Sequence, residues 1–105
     1  MSGAYEYLLD GMPRVLMVVE FKTTQRGRDV MDYSVVLVVE VDERREAVRL
    51  YDGAHGENEL HRYTRDGIKQ AAEVFDRGTL GEGMNVAIEK IKHGYKEMID
   101  GWRRA

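Results

Sequence analysis

Two stretches of the chain alternate apolar and polar positions with the period of an extended strand. From Val15 to Phe21 the odd positions are Val, Met, Val and Phe, and from Met31 to Val41 they are Met, Tyr, Val, Leu, Val and Val. β-Branched residues dominate both runs, as a pleated, half-buried surface favours. Between them "TTQRGRD" places Gly27 where a three-residue turn, Gln25-Arg26-Gly27, needs a left-handed residue. Such a turn pairs Thr24 with Arg28, Phe21 with Met31, Val19 with Tyr33 and Met17 with Val35, and it keeps the odd residues on one face.

A third strand, Glu46 to Asp52, follows the tight "DERRE" turn. Pairing Val41 with Val48 and Val39 with Leu50 would put Val48 and Leu50 on the same face. A fourth strand, Leu60 to Thr64, follows "DGAHGENE", and "RDG" at Arg65 to Gly67 reads as another turn. "IKQAAEVFD" is then either a fifth, edge strand or an irregular return.

The pattern changes period after Thr79. Thr79-Leu80-Gly81-Glu82 is a capping box, and behind it Met84, Ile88, Ile91, Tyr95, Met98 and Trp102 recur at steps of 4, 3, 4, 3 and 4. This predicts one helix of about 22 residues with a single apolar stripe. The fold expected is α+β: a curved antiparallel β-meander of four or five strands with one long C-terminal helix packed on one face.

One helix covers one face. In the register above, Leu16, Val18, Val36, Val38, Ala47 and Tyr51 fall on the other, and an apolar patch in mid-sheet needs a lid. The segment Ala4 to Leu9 is expected to supply part of it through Tyr5, Leu8 and Leu9, and a second copy of the chain the rest. A homodimer is the consequence.

Composition narrows the chemistry. At 105 residues the chain fits a single α+β domain, 1–105. Cysteine is absent, which removes disulfides, thiolate nucleophiles and cysteine-based zinc sites. Sixteen basic and nineteen acidic residues leave a net charge of −3, which disfavours non-specific coating of nucleic acid. No signal-peptide pattern opens the chain, and "VVLVVEV" is far shorter than a spanning helix, so a soluble, cytoplasmic protein with no membrane partner is expected.

The candidate chemistry lies in "RLYDGAHGENELHRY", Arg49 to Tyr63, which holds two of the three histidines. In a meander, loops alternate ends, so the loops carrying Arg26 and Arg28 and the loop carrying His55 share one end, with Arg44, Arg45 and Arg65 at the other. Imidazole exchanges protons near neutral pH, and arginine grips phosphate through a planar fork. His55 and His61, oriented by Asp52, with Arg26, Arg28, Arg49 and Arg62 as phosphate or partner contacts, suit metal-independent RNA cleavage. Asp, Gly and Asn are also ordinary turn formers, and nothing in the loop compels chemistry. Asp52, His55 and His61 offer metal-ligand atoms, but their D-x-x-H-x5-H spacing matches no zinc motif, so neither a metal nor another cofactor is expected. His93 falls off the apolar stripe and reads as a surface residue. "GTLGEG" lacks the Lys-Ser/Thr end of a phosphate loop, and no nucleophile elbow surrounds Ser2 or Ser34.

From "VRLYDGAHGENELHRYTRDG" through "AEVFDRGTLGEGMNVAIEKIKHGYKEMIDGW" the chain resembles a small family of uncharacterised prokaryotic proteins. The firmest part is Tyr51-Asp52-x-Ala54-His55-Gly56 followed by His61 and the terminal helix. More remotely, Arg49-x-Tyr51-Asp52 with histidines on the next hairpin looks like the TumE-like toxins of bacterial toxin–antitoxin pairs. That likeness implies an RNA-directed toxin held by an antitoxin-like protein partner. The chain departs from those toxins in carrying one histidine in "LHRY" rather than a close pair, and in an arginine one residue further from the tyrosine. Two functions are therefore carried forward. The first is a non-catalytic interaction or regulatory module that homodimerises; the second is a toxin-type RNA-cleaving enzyme built on the histidine loop.

Overall fold

The computed structural model describes the whole chain, Met1–Ala105. Six strands come first: β1 (Ser2–Gly11), β2 (Arg14–Thr23), β3 (Val30–Val41), β4 (Arg44–Asp52), β5 (Asn58–Arg62) and β6 (Glu73–Asp76). One helix, α1 (Leu80–Arg103), ends the chain. The strands form one antiparallel sheet in sequence order, so the architecture is the expected α+β meander with more strands than expected.

β1 takes in the segment expected to act as a lid. It pairs along β2, with Tyr5 opposite Val19 and Tyr7 opposite Met17. Tyr5, Tyr7 and Leu9 already alternate in the sequence, and Gly11-Met12-Pro13 separates them from β2, so a strand signal was present. β6 is shorter than "IKQAAEVFD"; Ile68 to Ala72 is irregular, with one bridge between Tyr63 and Lys69.

The β2–β3 register differs from the expected one by two residues. Phe21 faces Tyr33, Val19 faces Val35 and Met17 faces Leu37, with a shift beside Lys22 and Thr23. Gly27 does take a left-handed conformation, φ 69°, but in a longer loop closed by the Thr24 amide on the Asp29 carbonyl. A slip of two preserves the faces, which is why the core residues were still placed correctly. The β3–β4 pairing differs more. A bulge beside Leu37 and Val38 puts two β4 residues against one, so Tyr51 faces Val35 and Leu50 faces Val36. Tyr51 therefore joins the helix-side core, edge-on to Phe75 at 4.9 Å, and Leu50 moves to the opposite face.

The core is the layer between sheet and helix: Val15, Met17, Val19, Val35, Leu37, Val39, Val48 and Tyr51 against Ala87, Ile91, Ile99 and Trp102. Thr79 and Glu82 form the predicted capping box. Met84, Ile88, Tyr95 and Met98 flank the contact, which centres on Ala87 and Ile91. Trp102 anchors the last turn by donating to the Thr64 carbonyl at 3.2 Å.

The helix-free face is bridged by an ion pair. Arg45, at the start of β4, grips the Glu6 carboxylate of β1 through both terminal nitrogens at 2.6 and 2.8 Å. Two strands lie between them. The strand registers set Arg45 level with Gly11, five residues along β1 from Glu6. In a flat sheet the two would lie roughly 20 Å apart, more than both side chains span, so the sheet must twist and coil. On this face Val38 and Leu16 are 7% and 2% exposed. Two of the residues expected to need a lid are therefore buried within one chain.

Candidate functional site

On the helix-free face, β4 and β5 bring four side chains into two cross-strand pairs: Leu50 with His61 and Asp52 with Glu59. Both pairs follow from strand alternation, because Glu59-x-His61 and Leu50-x-Asp52 each put two residues on one face. Asp52, Glu59 and His61 each offer a ligand atom within 4.8 Å of the others. All three side chains are withdrawn from solvent, at 10%, 13% and 11% exposure.

Each member is held by a neighbour. The His61 Nδ1 lies 2.9 Å from the Gln70 carbonyl oxygen, so Nδ1 carries a proton and donates it. The His61 Nε2 then faces the Asp52 Oδ2 at 3.9 Å, too far for a hydrogen bond. The Asp52 Oδ1 accepts from the Ala54 amide at 3.3 Å. The Glu59 Oε1 meets the His55 Nδ1 at 2.9 Å. That hydrogen bond, with the Glu59 charge behind it, raises the His55 pKa above its ordinary 6.5. His55 itself is 78% exposed at its side chain, on the loop between β4 and β5.

The arginines expected beside these histidines are elsewhere. Arg49 and Arg62 pair with each other across β4 and β5, on the helix side of the sheet. Arg49 reaches the Tyr51 hydroxyl at 3.4 Å and Arg62 is paired with Glu73. Arg26 and Arg28 sit exposed in the β2–β3 loop, at the His55 end of the sheet, and neither makes an ion pair. Asp52 and His61 are therefore together, His55 touches them only through Glu59, and Arg49 and Arg62 are separated from them by the sheet. Glu59 is not among the residues the sequence pattern singles out, although its two-residue spacing from His61 is a usable signal. His93 is exposed and paired with Glu89 at 3.0 Å, as a surface residue.

A groove of about 600 Å³ opens on the same face and shares Asp52 and Leu50 with the cluster. Its other polar lining includes Glu20, Lys22, Asp32 and Ser34. Acidic groups outnumber basic ones here, which suits a cation better than a phosphate.

Residues 3–105 match the family described as a domain of unknown function (DUF7718), and the chain belongs to it. Neither the curated proteins nor the solved structures gave a match.

Proposed function

We propose that this member of the family of domains of unknown function is a non-catalytic interaction module that self-associates through the outer edge of β1. One observation carries the reading: β1 has β2 on one side and no strand on the other, over its whole length. The face of the sheet is no longer the preferred contact, because Leu16 and Val38 are already covered within one chain.

The free edge has a defined chemistry. Met1 and Thr23 exchange two backbone hydrogen bonds, so in the regular β1–β2 register Gly3, Tyr5 and Tyr7 also point their amides inward to β2. Ser2, Ala4, Glu6 and Leu8 then present theirs outward. A second β1 pairs antiparallel with these groups about a two-fold axis at Tyr5 or Tyr7. Either axis avoids setting Glu6 against its own copy, since Glu6 then faces Ala4 or Leu8. Met1, Tyr5, Tyr7, Leu8 and Met12 are all exposed along this segment, and an apolar edge strand of this length is a template for strand addition.

Sedimentation equilibrium over a concentration series tests the reading. A dimer is expected, and Ala4→Pro should dissociate it, because proline deletes an outward amide while leaving the β2 side of the ladder intact. A wild type that stays monomeric to high micromolar concentration would contradict it. The RNA-cleaving alternative, and with it the likeness to TumE-like toxins, finds less support in the geometry, because Arg49 and Arg62 lie across the sheet from His61.

A further inference from the structure

Asp52, Glu59 and His61 are arranged as ligands rather than as a closed polar network. Each has one atom fixed by a neighbour, through Ala54, His55 and Gln70. Each has a second atom, Asp52 Oδ2, Glu59 Oε2 and His61 Nε2, without a hydrogen bond to the protein. His61 is 9% exposed and Asp52 7%, and the His61 Nε2 faces the Asp52 carboxylate at 3.9 Å without a hydrogen bond. The Gln70 carbonyl holds the tautomer whose Nε2 lone pair points into the cluster, as a carbonyl behind a metal-bound histidine commonly does.

The electrostatics point the same way. Asp52 and Glu59 face each other directly across β4 and β5, where like charges repel. Neither has a lysine or arginine within ion-pair distance; their partners are His61 and His55. A lone pair facing a carboxylate is unfavourable unless a positive charge stands between the two.

We propose that Asp52, Glu59 and His61 bind one first-row divalent transition-metal ion, of the zinc or manganese class. Two oxygens and one imidazole nitrogen fit such ions, whereas calcium and magnesium favour all-oxygen shells. An ion about 2.1 Å from each ligand would hold the ligand atoms about 3.4 Å apart. The present separations of up to 4.8 Å therefore close by rotamer adjustment alone. Three protein ligands leave a further position for water. His55 is a positioning residue here, orienting Glu59.

The test uses the full chain without an affinity tag, stripped with a chelator. Titration calorimetry with zinc chloride should give one ion per chain. Asp52→Asn and Glu59→Gln should each weaken binding by more than about tenfold, and His61→Gln should abolish it, while His93→Ala leaves it unchanged. Thermal unfolding of each variant shows which remain folded. The wild type alone gives a second readout: manganese should broaden the NMR signals of Leu50, Asp52, Glu59 and His61 first. No binding, undiminished binding in folded Asp52→Asn or His61→Gln, or broadening centred on His93 and Glu89 would overturn the proposal.

Discussion

Asn58 and Gly83 meet so closely that a Cβ atom on Gly83 would lie 1.9 Å from the Asn58 Oδ1. Asn58 is the junction of three elements. Its Oδ1 accepts from the Tyr33 hydroxyl of β3 at 2.7 Å, and its Nδ2 donates to the carbonyls of Gly78 and Thr79 at 3.0 and 3.2 Å. The start of β5 and the cap of α1 are thereby locked together, with Asn58 1% exposed.

Gly83→Ala should consequently destabilise the fold by about 1–3 kcal/mol, the usual cost of overpacking. Helix propensity alone predicts the opposite sign, a gain of up to about 1 kcal/mol. Gly101→Ala is the internal control, since nothing lies within 4 Å of its Cβ position, and it should be neutral or slightly stabilising. Urea unfolding of both variants decides between packing and propensity. The loss at Gly83 should shrink in an Asn58→Ala background, because the clashing group is gone.

The β3–β4 turn carries strain of a simpler kind. Asp42 and Glu43 both have positive φ, 49° and 67°, as a two-residue turn of this hand requires. Aspartate tolerates that region better than glutamate does. Glu43→Gly should raise stability by about 0.5–1 kcal/mol, seen as a higher urea midpoint with an unchanged slope.

Glu6 titrates low because the Arg45 guanidinium is hydrogen-bonded to it. A carboxyl depressed in the folded state stabilises above its unfolded pKa, and that contribution fades as pH falls through the folded value. Carbon-detected NMR titration should place the Glu6 midpoint below 4.5, and Arg45→Gln should return it toward that value. An unshifted Glu6 in the wild type would mean the ion pair does not form in solution.

His55 works in the opposite sense. Its pKa is raised by the hydrogen bond to Glu59, so the pairing stabilises below the ordinary value of 6.5 and is lost as pH rises through the elevated one. In metal-free solution, an imidazole titration followed by NMR should lie above 6.5, and Glu59→Gln should bring it back.

Much of the scaffold was legible because it depends on period alone. The helix stripe from Met84 to Trp102 and the odd positions of β2 and β3 needed no knowledge of partners. What failed depended on one-residue details of pairing. The bulge beside Val38 moved Tyr51 and Leu50 to exchanged faces, and no composition signal in "REAVRLYD" marks where the extra residue sits. The same limitation blurred the site: Arg49, Arg62, Asp52 and His61 are close in sequence, but alternation sends the arginines and the acid–histidine set to opposite sides. Glu59 was overlooked because turn-forming neighbours made it look like loop. β1 is hard to see in the sequence because its alternation is brief and Tyr5, Leu8 and Leu9 suit a lid equally well.

Amide hydrogen exchange along β1, read residue by residue at low and high protein concentration, tests the self-association reading most directly. Gly3, Tyr5 and Tyr7 should be protected at every concentration by their bonds to β2. Ala4, Glu6 and Leu8 should exchange freely when dilute and gain protection together as concentration rises. Ala4, Glu6 and Leu8 amides that stay unprotected in concentrated solution would contradict pairing through this edge.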